Sequence, residues 1–147
     1  MSFIGNLLWF VFGGFLLGTV WLLAGLIWCI TIIGIPFGIA CFRIASFAYF
    51  PFGKELVPAE LMGEKVIYGT GIFNLLWCIF SGLWLAIAHI LTGIGQCITI
   101  IGIPFGLAHF KLAQASFAPL GKRIVSTEVA RAAREAHAKA VVEAANK

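Results

Sequence analysis

The chain has 147 residues, of which 61% are hydrophobic and 11% charged, with a net charge of +4 and a mean hydropathy of +1.03. Water-soluble domains carry about a quarter of their residues as charges, so this composition excludes an ordinary soluble domain and makes the lipid bilayer the expected surroundings. The basic residues flank apolar segments instead of forming an aromatic-interleaved patch, which argues against a nucleic-acid partner.

From the N-terminus, Met1–Asn6 has neither Lys nor Arg, so the apolar stretch reads as a retained membrane segment, not a cleaved signal peptide. No Asp, Glu, Lys or Arg lies between Phe3 and Phe42 or between Val66 and Phe110. Each interval is about twice the roughly 20 residues that span a hydrocarbon core. The expected helices lie near Ile4–Leu23, Leu26–Ala45, Ile72–Leu91 and Ile94–Ala113, with tight outer turns at Gly25 and Gly93. A second layout fits the same residues. It has one long tilted helix from about Ile4 to Ile33, broken at Gly34-Ile-Pro-Phe-Gly38 and followed by a re-entrant or interfacial half-helix.

A shift of 68 positions aligns Asn6–Met62 with Asn74–Ala130 without a gap, giving 27 identities in 57 pairs. The run from Ile30 to Gly38 recurs letter for letter from Ile98 to Gly106, and the exit Pro51-Phe-Gly-Lys54 recurs as Pro119-Leu-Gly-Lys122. The chain is therefore a duplication of one hairpin plus a short polar exit. Arg43, Lys54 and Lys65 follow the first hairpin. Lys111, Lys122, Arg123, Arg131, Arg134, Lys139 and Lys147 follow the second. The positive-inside bias puts both groups in the cytoplasm, so the repeats are parallel, related by an axis along the membrane normal.

These elements predict an all-α membrane protein. It consists of two parallel-repeat helical hairpins, with four membrane-embedded helices kinked or broken at the Gly-Ile-Pro-Phe-Gly motifs, and a C-terminal cytoplasmic helix. The units are residues 1–68, 69–125 and 126–147. The last is rich in Ala, Glu, Lys and Arg, with Ser126 or Thr127 as its cap.

The duplicated Gly-Ile-Pro-Phe-Gly, the His89-Ile-Leu-Thr-Gly-Ile-Gly-Gln-Cys97 run and the Pro-x-Gly-Lys exits resemble the YccF family of small bacterial inner-membrane proteins. The resemblance extends from about Asn6 to Ala136. It implies a multi-pass protein of the bacterial inner membrane with two copies of the family domain, and it brings no reaction, ligand or catalytic residue with it.

The chemistry must then come from the residues. Gly34, Pro36 and Gly38, with Gly102, Pro104 and Gly106, break membrane helices at matching places, which frees carbonyls for an ion or substrate at a pore or gate. The same spacing also makes a small-xxx-small packing contact. Asn6 and Asn74 head their repeats, either capping and packing helices or lining a pore mouth. His89, Gln96 and Thr92 form a polar group expected near the outer turn of the second repeat, where the first has Trp21, Trp28 and Ala24. His89, Gln96 and His109 are the polar, pH-sensing candidates. Arg43 and Lys111, equivalent across the repeat, either snorkel to phosphates or form a basic ring at the inner mouth of an oligomeric pore.

Cys29, Cys41, Cys78 and Cys97 sit in apolar segments without metal-ligand spacing and read as small packing residues. No metal or cofactor is expected. No Asp or Glu occurs in an apolar segment, which disfavours a cation-coupled transporter, and no catalytic constellation is present, so the chain is not read as an enzyme. The expectation is a small homo-oligomeric channel or passive carrier, preferring anions. The alternative is a structural or regulatory subunit acting through an unidentified partner membrane protein, and lipid handling is a third reading.

Overall fold

A computed structural model describes residues 2–65 and 68–146. Val66 and Lys147, which bound the second uncharged stretch and the basic tail, lie outside the described residues. The first repeat opens with the 26-residue helix α1 (Phe3–Trp28). It continues through helix α2 (Ile35–Tyr49) into strand β1 (Lys54–Pro58). The second opens with the 28-residue helix α3 (Thr70–Cys97) and continues through helix α4 (Ile103–Phe117) into strand β2 (Lys122–Ser126). Helix α5 (Thr127–Ala145) closes the chain.

Helices α1 and α3 are about 39 and 42 Å long, and both are long and apolar enough to cross a membrane. Helices α2 and α4 have 15 residues each, about 22 Å, and are shorter than a hydrocarbon core. Each packs back along the long helix before it.

The hairpins do not turn where the sequence suggested. Gly25 and Gly93 lie inside α1 and α3, and the chain reverses at residues 29–34 and 98–102, closer to the second layout. The reason is packing. A Cβ on Gly25 would lie 2.5 Å from the Phe42 ring and 3.1 Å from the Gly38 carbonyl oxygen. One on Gly38 would strike the Cys29 Sγ and lie 2.8 Å from the Gly25 carbonyl oxygen. The glycines let two helices touch, and the same pair recurs as Gly93 and Gly106.

The turn itself is built by Thr31, whose hydroxyl accepts the Gly34 N–H at 3.1 Å, with Thr99 and Gly102 repeating the bond at 3.0 Å. Proline then occupies the first turn of α2 and of α4, where its missing N–H leaves no bond unmade. Ile30, Ile32, Ile33, Ile98, Ile100 and Ile101 at these turns are 75–87% exposed, so both hairpin tips are apolar surfaces.

Both long helices widen to a π turn at matching places, Phe10–Gly14 and Cys78–Gly82. Gly14 and Gly82 leave room for the indoles of Trp9 and Trp77 to fold over them. Trp9 Nε1 donates to the Ala48 carbonyl at 2.6 Å, and Trp77 Nε1 donates to the Ser116 carbonyl at 2.7 Å. Each bond ties the long helix to the end of the short one.

The chain is mostly helical, as expected, but the polar exits add a two-stranded sheet that an all-α reading lacks. Strands β1 and β2 pair antiparallel in register from Lys54↔Ser126 to Pro58↔Lys122, centred on Leu56↔Ile124. Leu56 and Ile124 are themselves equivalent across the repeat, so the pseudo-two-fold passes between them. Helix α5 starts directly from β2, its first turn capped by the Ser126 hydroxyl accepting from the Val129 N–H. Of its residues only Ala130 is buried.

The tip of each hairpin lies against the base of the other. Trp28, at the tip of the first, packs on Trp77 near the base of the second at 5.7 Å between ring centroids. Trp9, at the base of the first, packs on Phe105 and His109 beyond the tip of the second, at 6.0 and 5.1 Å. Helices running side by side along the pseudo-axis would instead have brought Trp9 level with Trp77.

Candidate functional site

The interior between the repeats is a column of rings. Trp77 packs on Trp21, Trp28 and Phe37, and Trp9 packs on Phe105 and His109. Into this column the second repeat inserts two polar side chains where the first has Trp21 and Cys41. His89 and His109 are both buried, and their Nδ1 atoms face each other at 3.0 Å. At that distance one Nδ1 carries a proton and the other accepts it, so the two rings hold complementary tautomers. His89 is thus not at the outer turn, as its spacing with Thr92 and Gln96 suggested, but at the contact between repeats. The signal for the pair was in the sequence: two departures from the repeat, at positions 89 and 109, that only a folded chain brings together.

Gln96 does not join the histidines in any hydrogen bond. Its Oε1 is buried and has no hydrogen-bond partner among the described residues. Thr92 bonds within its own helix, to the Ala88 carbonyl at 2.8 Å.

Asn6 and Asn74 are clamps. Asn6 Nδ2 donates to the Phe52 carbonyl at 3.0 Å while its Oδ1 accepts the Phe52 N–H at 2.9 Å. Asn74 makes the same pair with Leu120, at 3.1 and 3.0 Å. A side-chain amide that satisfies both backbone groups of one residue mimics a strand partner, and it fixes the exit segment against the start of the long helix. Gly34, Pro36 and Gly38, with Gly102, Pro104 and Gly106, form the turns and helix contacts described above.

The basic residues gather at the sheet. Lys111 Nζ donates to the Lys54 carbonyl at 3.2 Å, and Lys54 Nζ donates to the Ser46 carbonyl at 3.3 Å. Burial holds the Lys54 and Lys122 ammonium groups below the ordinary lysine range. Arg123 grips Glu64 with two hydrogen bonds of 2.5 Å, and Arg134 pairs with Glu55 at 2.8 Å. The bonded Arg123 guanidinium is the main reason the Glu64 carboxyl sits below the usual carboxylate range. Arg43 faces a cavity of about 370 Å³ between α2, the segment after β1 and the start of α3. Glu64, Glu60, Lys65 and Tyr68 belong to this wall. Glu60 is matched by Glu128 in the second repeat, whereas Glu64, Lys65 and Tyr68 lie beyond the aligned range, so the duplication gives no signal for them. No group of three or more His, Cys, Asp or Glu side chains that could hold a metal occurs among the described residues.

Two segments of the chain, residues 4–54 and 72–122, match the family model of YccF, described as an inner membrane component domain. The chain belongs to the YccF family. The two matched segments are the two hairpins with their exits, so the YccF domain coincides with the unit of duplication. Relatives named inner membrane protein YccF, from Escherichia coli (strain K12) and Shigella flexneri, are each 44% identical over 139 residues, covering 91% of this chain and 94% of theirs. No solved structure matches the chain. The YccF description names a membrane component and no catalytic activity.

Proposed function

We propose that this chain is a bacterial inner-membrane subunit that acts through contacts with other membrane proteins, with four membrane-embedded helices and both termini in the cytoplasm. The observation that carries the reading is the filled interior. The space between the hairpins holds stacked indole and phenyl rings, and the asparagines and glycines that a conduit would need are engaged in bonds and contacts within the chain.

The outer faces of α1 and α3 offer Val11, Phe12, Phe15 and Leu16, and Ile79, Phe80 and Trp84, to lipid or to another helix. The gathering of Arg43, Lys54, Lys111, Lys122 and Arg123 around one sheet supports a cytoplasmic sheet face under the positive-inside bias. The hairpins then enter the bilayer obliquely from that face, with the short helices α2 and α4 embedded beneath the sheet. The name of the relatives supports the inner membrane as the location.

A conduit remains the second reading only for an assembly of several chains, and one observation favours assembly. A Cβ at Gly71 or at Gly95 would meet nothing, so helices of another copy can approach closely there. Anion flux from vesicles holding the purified protein decides between the two. We expect flux at the level of empty vesicles. Flux above that level, altered by the Pro36→Ala and Pro104→Ala double variant, would overturn the subunit reading.

A further inference from the structure

The cavity beside Arg43 has two kinds of wall. Ile35, Ile39 and Phe73 supply an apolar side, and Arg43, Lys65, Arg123, Glu60 and Glu64 supply a charged rim. Its volume, about 370 Å³, lies within the range of small-ligand sites, roughly 300–1,000 Å³. Glu64 is held by Arg123 in a two-bond pair, which leaves Arg43 without a hydrogen bond or ion pair among the described residues. Three cations against two carboxylates leave one positive charge uncompensated at a site walled by apolar side chains.

The equivalent place in the second repeat shows what this arrangement adds. There Pro51, Phe52, Ile103, Pro104 and Leu107 line a smaller cavity of about 220 Å³, and Lys111 replaces Arg43. The Lys111 ammonium already has a partner, the Lys54 carbonyl. Among the described residues, no carboxylate and no part of the inter-repeat segment borders that cavity. The duplication has kept one satisfied cation and one open one, and only the open one has the larger, half-charged chamber.

We propose that this cavity binds an anionic phospholipid of the cytoplasmic leaflet, with the phosphodiester on Arg43 and Lys65 and the first methylenes of an acyl chain against Ile35, Ile39 and Phe73. A guanidinium presents a planar fork that matches two phosphate oxygens, so arginine suits this place better than lysine. The single negative charge of a phosphatidylglycerol headgroup matches the single uncompensated positive charge. A zwitterionic headgroup does not. Ile35 and Tyr68 on the cavity wall are exposed, so the chamber opens onto the outside of the helices, where a lipid can enter from the side.

The test is native mass spectrometry of the full chain, released from detergent after incubation with phosphatidylglycerol, phosphatidylcholine or glycerol phosphate. One phosphatidylglycerol should be retained at least tenfold more tightly than phosphatidylcholine, and glycerol phosphate should not displace it. Arg43→Gln should weaken that retention about tenfold, the effect of losing one charge-assisted contact. Lys111→Gln should leave it unchanged. Ile39→Trp, which fills the apolar side without touching a charge, should weaken it at least as much and serves if Arg43→Gln fails to fold. Equal retention of the two lipids, full displacement by glycerol phosphate, or undiminished binding in a folded Arg43→Gln or Ile39→Trp protein would each overturn the proposal. None of these readouts depends on whether the chain conducts ions.

Discussion

The Trp21 indole and the His89 imidazole lie 6.5 Å apart with planes 3° from parallel, and they hold equivalent positions in the two repeats. Two copies of one hairpin meet here across their pseudo-two-fold, yet one contributes an apolar ring and the other a polar one. The asymmetry extends to the next layer, where His89 meets His109 while the first repeat has Cys41 at the corresponding place. A duplicated chain thus has a centre that is not duplicated.

The histidine pair should behave as one unit. His89→Leu or His109→Leu leaves a buried ring nitrogen unpaired and should destabilise the chain by about 1–3 kcal/mol. The double variant removes both polar groups and should lose less than the sum of the two. A double-mutant cycle read by thermal unfolding in detergent should give a coupling of roughly 0.5–3 kcal/mol. Additive losses would mean that the Nδ1 contact does not form.

Asn6→Ala removes both bonds to Phe52 and should cost about 1–3 kcal/mol, with Asn74→Ala doing the same at Leu120. The two clamps share no partner, so their effects should add. Hydrogen exchange at the Phe52 and Leu120 amides should rise selectively in the corresponding variant. An unchanged Phe52 amide in Asn6→Ala would remove the clamp as an explanation for that residue.

Glycines at helix contacts and glycines in the open should respond oppositely to a methyl group. Gly38→Ala and Gly106→Ala place a Cβ against a cysteine sulfur and a helix carbonyl and should destabilise by about 1–3 kcal/mol. Gly95→Ala meets nothing and should be neutral or stabilising by up to about 1 kcal/mol, since alanine favours the helix. Unfolding midpoints in a denaturing detergent would rank the three. Equal effects at Gly38 and Gly95 would contradict the packing described for the hairpin.

The Glu64–Arg123 pair has a defined pH signature. The folded chain holds the Glu64 carboxyl below its ordinary value, so the pair stabilises above the unfolded carboxylate range and its contribution disappears as pH falls through the lowered folded value. Wild type should therefore exceed Glu64→Gln slightly at neutral pH, and the difference should close in acid. Because both side chains are substantially exposed, added salt should also shrink it. A difference that grows in acid would have the wrong sign for this pair.

Several features were legible in the residues because they are local or compositional. Apolar length shows as uncharged runs, duplication as the 68-residue offset, and family membership as the doubled Gly-Ile-Pro-Phe-Gly with its exits. Helix propensity in the tail is likewise a property of neighbours in sequence. The position of the hairpin turn was misread at Gly25 and Gly93, because a glycine in an apolar run serves a turn and a helix contact equally well. The partner that tells them apart, Gly38 or Gly106, becomes adjacent only after folding.

The sheet was missed for a related reason. Lys54–Pro58 and Lys122–Ser126 are short and polar, and each becomes a strand only by pairing with the other across the repeat. By itself the sequence determined that the chain holds two equivalent apolar segments, each followed by a basic exit. The tertiary structure alone decided that each hairpin tip meets the base of the other, that the exits pair, that the two histidines face each other through Nδ1, and that Arg43 is left open while Lys111 is satisfied. Each of these joins residues from different repeats or from opposite ends of one hairpin, and contacts at such separations are set by packing and hydrogen-bond geometry, not by neighbouring residues.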